Sequence, residues 1–204
     1  MDLQRSAGIA VGVIRSDHLD IVERVRPSTA WHRGEVPTPD FDVRSVPAAQ
    51  QAWREAPSGD LTLLLGDHRA EFIGPWRMRA PRPAFFAATG MQGWWGKAFH
   101  EPHADHVERP DELHGANLVR RRRGLVRSME LVATFEDSEI DDRPALVVRY
   151  RHTDRWPWRG VSDHFRPVGD GLLLGLTLGI PMTPRGGAPF LFHRSPSTAG
   201  SHPS

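Results

Sequence analysis

The 204-residue chain contains no cysteine, which excludes disulfides, thiolate chemistry and cysteine-ligated metal. It has a single tyrosine, Tyr150, so any phenolic chemistry rests on one residue. No uninterrupted apolar run approaches the ~18 residues of a membrane-spanning helix. Neither sign of charge dominates: 26 basic residues face 25 acidic ones, which removes a whole-chain electrostatic case for nucleic acid. A short apolar run, Ile9–Ile14, follows Arg5, but Asp17, His18 and Asp20 arrive too early for an export signal. The expectation is therefore a cytoplasmic protein with no membrane span and no nucleic-acid partner. P-loop, G-x-G-x-x-G, G-x-S-x-G and H-E-x-x-H motifs are all missing.

What the chain does contain is turn punctuation between short apolar runs. Ile9–Ile14 reads as a strand, His18–Val25 as a short helix, and 26–42 as a Pro-rich, charged loop. Ser45 can cap a helix over 47–56, with Pro47 in the first turn and Pro57-Ser58-Gly59 as the stop. From Asp60 the character changes. Leu61–Leu65 and Ala70–Met78 read as strands, and Ala84–Thr89 as a helical turn burying Phe85 and Phe86. His100–Leu113 reads as a loop.

Strands are then expected at Ala116–Arg122, Leu125–Phe135, Pro144–His152, Val161–Pro167, Leu172–Ile180 and Pro189–Arg194. Gly169-Asp170-Gly171 is a hairpin signal, because these residues tolerate positive φ. Helix-length periodic segments are missing between the strands, which argues against parallel βαβ units. The fold class expected is mainly β (α+β): an antiparallel lipocalin-like β-barrel over 60–194. Residues 1–59 form an N-terminal extension, and 195–204 a disordered tail. In Leu125–Phe135 one face carries Leu125, Arg127, Met129, Leu131, Ala133 and Phe135. The other, with Val126, Ser128, Glu130, Val132 and Thr134, has the mixed polarity of a ligand-facing lumen.

Three segments carry a family resemblance: Q-G-W-W-G-K-A-F at Gln92–Phe99, D-H-F-R-P-V-G-D-G-L-L-L-G at Asp163–Gly175, and A-P-F-L-F-H-R at Ala188–Arg194. Together they resemble the GXWXG-type family of small bacterial proteins. Trp94, Gly96 and Lys97 match the motif; Gln92 stands where its first glycine belongs, with Gly93 one residue later. The resemblance implies a calycin-like barrel holding an apolar ligand, haem or a reactive polyene, without choosing among them. Gly74-Pro75-Trp76 is also similar to the G-x-W of lipocalin-like barrels, whose Trp closes one end.

The candidate site residues follow from side-chain chemistry. Trp94, Trp95, Lys97, Arg166 and Arg194 are candidates for ligand binding. Trp rings offer large apolar faces, and the cations can pair with an acidic group. Glu130, Tyr150, His164 and His193 are the polar groups expected to act if the barrel is an enzyme. Asp163 and His164 are neighbours on a strand and so should face opposite ways. His100, His103 and His106 have metal-ligand chemistry, but Pro102 breaks any regular spacing, and a solvated loop is the expectation. No metal and no cofactor is expected. Two functions are carried forward: binding of a small apolar organic molecule, or cofactor-independent cyclisation or isomerisation of a polyketide- or terpenoid-like substrate in the same cavity. A third, a structural module with a filled core, remains beside them.

Overall fold

The computed structural model describes residues 38–101 and 112–195. The strand and helix expected before residue 26, His103 and His106, and residues 196–204 lie outside the described residues. Eight antiparallel strands, each paired with its sequence neighbour, close into a barrel when β1 pairs with β8. The strands are β1 (Gly66–Phe72), β2 (Trp94–His100), β3 (Glu112–Arg121), β4 (Gly124–Asp137), β5 (Pro144–Tyr150), β6 (Ser162–Gly169), β7 (Leu172–Leu178) and β8 (Ala188–Arg194). Closure leaves no open edge along which another strand could add.

Helix α1 (Val46–Glu55) starts where expected: the Ser45 hydroxyl accepts from the Ala48 N–H at 3.2 Å, with Pro47 in the first turn. It does not stand apart as an extension. Ala49 and Trp53 are buried on the outside of the barrel against Val147, Leu172, Leu174, Leu176 and Leu191. The barrel interior is a second core that includes Phe99, Leu131, Leu146, Val148, Phe165, Phe190 and Phe192. Strands β5 to β8 thus bury both faces, which is why their sequences read as nearly continuous apolar runs.

Three local expectations are corrected. Leu61–Leu64 is a 3-10 turn, not a strand. Asp60 caps it by accepting from the Thr62 N–H at 2.8 Å, and Leu64 is fully buried in the interior core. Strand β1 lies earlier than expected and ends at Phe72. At Gly74 φ is +95°, a conformation suited to glycine, and the chain then leaves the sheet for α2 (Trp76–Arg79) and α3 (Arg82–Ala88). Trp76 therefore closes nothing: it is 68% exposed. In β4, Leu131 and Ala133 face the interior, and the mixed face with Glu130 and Thr134 does not.

The up-and-down order sorts the connections by end. The α2–α3 segment, the β3–β4 turn, the β5–β6 connection with its 3-10 turn Trp158–Gly160, and the β7–β8 loop all fall at one end. The Leu61–Leu64 turn and the β6–β7 hairpin fall at the other. At that second end aromatic rings pack across the interior. His68 stacks on Phe192 at 5.5 Å, and Phe192 on Phe165 at 4.7 Å. Gly175 makes room here, since a Cβ on it would meet both Phe165 and Phe190 at 2.6 Å.

Candidate functional site

At the first end the barrel is hollow. A cavity of about 390 Å³ lies among Phe72, Phe85, Phe86, Trp94, Trp158 and Phe190, within the size range of small-molecule sites. The rings brace one another: Phe86 stacks on Trp94 at 5.2 Å and on Trp158 at 5.9 Å, and Tyr150 stacks on Trp158 at 5.2 Å. Phe85 and Phe86 come from α3, so this short helix supplies part of the aromatic wall.

Below the rings is a buried polar cluster. Lys97, on β2, is fully buried. Its ammonium donates to Asn117 Oδ1 at 3.2 Å and to Tyr150 Oη at 3.0 Å, and pairs with Asp163 Oδ2 at 3.1 Å. Three donors thus meet three acceptors, the condition for tolerating a buried charge. Burial disfavours the ammonium, but Tyr150 and Asp163 outweigh that and hold the Lys97 pKa above its ordinary value. Burial pushes the Tyr150 phenol up, so its proton stays on. Asn117 also accepts from the Trp94 indole N–H at 2.9 Å, and the Thr177 hydroxyl donates to Asp163 Oδ1 at 2.6 Å. Asp163, Tyr150 and Thr177 reach the cavity wall. Because Tyr150 Oη accepts from Lys97, its own proton points elsewhere; it donates to Asn117 Oδ1 over a long 3.5 Å. A ligand oxygen can compete for that donor.

The expected site residues divide between inside and outside. Trp94 and Tyr150 line the cavity, and Lys97 lies in the polar cluster behind Tyr150. Trp95 is half-buried at the β-bulge of β2, outside the ring stack. Glu130 is exposed and paired with Arg151. His164 points outward from the lumen: Ser138 Oγ lies 2.8 Å from Nδ1 and Ser162 Oγ 2.9 Å from Nε2. Burial lowers the His164 pKa, against the pull of Glu139 and Asp163, which keeps the ring neutral. His193 also faces outward, with Nε2 2.8 Å from Glu71 Oε2.

Arg166 is fully buried beneath α1, where its guanidinium lies 3.9 Å from the centre of the Trp53 ring and meets both Asp141 oxygens, at 2.8 and 2.9 Å. It joins α1 to the barrel rather than touching the lumen. Arg194 is exposed at the end of β8. Asp163 pairs with neither Arg166 nor Arg194 but with Lys97.

Sequence reasoning passed over Asn117, Thr177, Phe86 and Arg82. The usable signal was placement: Trp94, Tyr150, Asp163 and Thr177 all lie near the strand ends that the up-and-down order brings to one end of the barrel. Asn117 had a different mark, a polar residue within the apolar run Ala116–Val119.

No protein-family model matches the chain, and no curated protein matches it. One solved structure does. It is a crystal structure of a protein from Thermomonospora curvata, 18% identical, with a TM-score of 0.50 over 71% of this chain and 83% of that one. At this identity the likeness shows the fold alone. Among the described residues no helix is long and apolar enough to cross a membrane, and no group of three or more His, Asp or Glu residues is placed to hold a metal ion.

Proposed function

We propose that the barrel is a cytoplasmic binder of a small apolar organic molecule. The cavity itself carries this reading: aromatic and aliphatic side chains form most of its wall, and the polar groups are confined to Tyr150, Asp163, Thr177, Thr183 and two arginines. Such a site gains affinity from ring burial and orientation from a small number of directed hydrogen bonds. In this reading the Tyr150 hydroxyl donates to an oxygen of the ligand, held in place by Lys97. Membership of the GXWXG-type, calycin-like family is part of the same proposal, resting on Trp94, Gly96 and Lys97.

A specific test is native mass spectrometry of the protein isolated from its own host, followed by titration of the emptied protein with apolar fluorophores. Retention of a non-covalent adduct, lost in an Ile180→Trp variant that fills the cavity, is the expected result. No adduct and no fluorophore binding at micromolar concentrations would sink the binder.

A second reading is favoured by one observation, that Asp163 and Tyr150 stand together on the cavity wall with complementary proton chemistry. Here the barrel is a cofactor-independent cyclase or isomerase of a polyketide- or terpenoid-like substrate. Tyr150 stabilises developing negative charge on a substrate oxygen, while the rings hold one reactive conformer. Tyr150→Phe is then expected to cut kcat far more than it raises KM. Equal loss in both would leave Tyr150 a binding group only.

A further inference from the structure

Between residues 76 and 90 the chain has Arg77, Arg79 and Arg82 and no acidic residue. This is the α2–α3 segment, and Arg77 and Arg82 both contribute to the cavity wall. Arg82 sits against an apolar surface: its guanidinium lies 4.1 Å from the centre of the Phe72 ring. One terminal nitrogen, Nη1, is buried without a hydrogen-bond partner. Among the described residues no carboxylate pairs with Arg82. The one acid on the cavity wall, Asp163, is already engaged by Lys97 and Thr177.

A buried guanidinium N–H without an acceptor is costly, and natural sites compensate that cost with an anion. Burial, with repulsion from Arg79, lowers the Arg82 pKa to about 10, which still leaves it charged at neutral pH. The cavity therefore has opposite needs along its wall. The rings call for an apolar, ring-sized body, and the wall near Arg82 calls for a single negative charge.

We propose that the ligand is an apolar organic acid whose carboxylate pairs with Arg82, its body lying among Phe72, Phe86, Trp94 and Trp158. This rests on the cavity reading above and narrows it to a chemical class. A guanidinium suits a carboxylate because its N–H donors are fixed in a planar fork. Stacking on Phe72 holds that fork in place before the ligand arrives, so less ordering is required on binding.

The test uses two probes of the same shape, anthracene-9-carboxylate and 9-anthracenemethanol, titrated by their own fluorescence against the full chain. The acid is expected to bind about tenfold more tightly than the alcohol, as a charge-assisted pair at a partly buried site allows. In Arg82→Gln the acid-to-alcohol ratio is expected to fall to about one, and Arg82→Lys to restore part of it. Alcohol binding in each variant reports that its cavity is intact. If the alcohol binds and the acid shows no advantage, or if the advantage survives in Arg82→Gln, the acid assignment is overturned while the binder stands. If neither probe binds, the cavity reading fails and takes this inference with it.

Discussion

Two buried cations occupy opposite sides of the same wall, and their surroundings give them different work. Arg166 lies outside the barrel on β6, sealed beneath Trp53. Besides the Asp141 carboxylate, its guanidinium meets the carbonyls of Trp53, Arg143 and Pro144 at 3.2–3.3 Å. Lys97 lies inside, and each of its partners is a side chain: Asn117, Tyr150 and Asp163. A cation held largely by backbone carbonyls fixes the chain in place. A cation held by side chains that themselves reach a cavity sets the proton and charge state of those groups. The first arrangement is structural, and the second is the arrangement a site requires.

The largest effect that bears on this contrast is expected from Lys97→Met. It leaves Asp163 buried and unpaired and should cost about 4 kcal/mol at neutral pH, read by urea unfolding. The double variant Lys97→Met/Asp163→Asn should recover most of that stability but not probe binding. Recovery of both would mean that the cluster only holds the barrel together. Arg166→Met should cost less, about 3 kcal/mol, because the Asp141 carboxylate it strands can turn towards solvent. Its cavity affinity should stay within about twofold of wild type; a larger change would collapse the distinction between the two cations.

The pH dependence separates the two further. Lys97 has a raised folded-state pKa, so its contribution is complete below the ordinary lysine value and is lost as pH climbs through the folded value. Asp141 has a lowered one: burial opposes ionisation, but the Arg166 hydrogen bonds and charge prevail. Its contribution is present above the ordinary carboxylate range and fades as pH falls through the folded value. Alkaline sensitivity should therefore be reduced in Lys97→Met and retained in Arg166→Met, and acid sensitivity should be reduced in Arg166→Met. Both would be read from unfolding midpoints across pH.

His68, in the closed end, adds a nearer window. Burial lowers its pKa to about 4, opposed by the hydrogen bond that Nε2–H donates to Leu64 O at 2.9 Å and reinforced by the charge of Arg194. The unfolded chain takes up that proton first, so stability should fall by up to about 3 kcal/mol between pH 6.5 and 4. His68→Phe should flatten much of this slope, leaving the part due to His164. An unchanged slope would remove His68 from the account.

The smallest effect belongs to the surface. Glu130→Gln breaks an exposed pair with Arg151 and should change stability by less than about 1 kcal/mol, with probe binding and any turnover unchanged.

Much of the barrel was legible. Strands β3 to β8 fall within a few residues of their expected positions because turn residues bracket apolar alternation. Strand β1 was obscured by its polar start, Gly-Asp-His-Arg, and β2 by the aromatic and glycine residues around its bulge. The candidate site was legible only in part. Trp94, Lys97 and Tyr150 stood out as residue types, whereas Glu130, His164 and His193 looked as chemical as they did and face the other way.

By itself the sequence determined the class: short antiparallel strands, hairpin turns at Gly169–Gly171, a capped helix at Ser45, and no cysteine to build on. Tertiary structure decided which face of each strand is inside. A period of two defines two faces but carries no label for either, and in β5 to β8 both are apolar because α1 covers the outside. Only closure of β1 on β8 brings Lys97, Tyr150 and Asp163, from three separate strands, to one point. A contact across a lumen joins residues distant in the chain, and no local pattern of spacing records it.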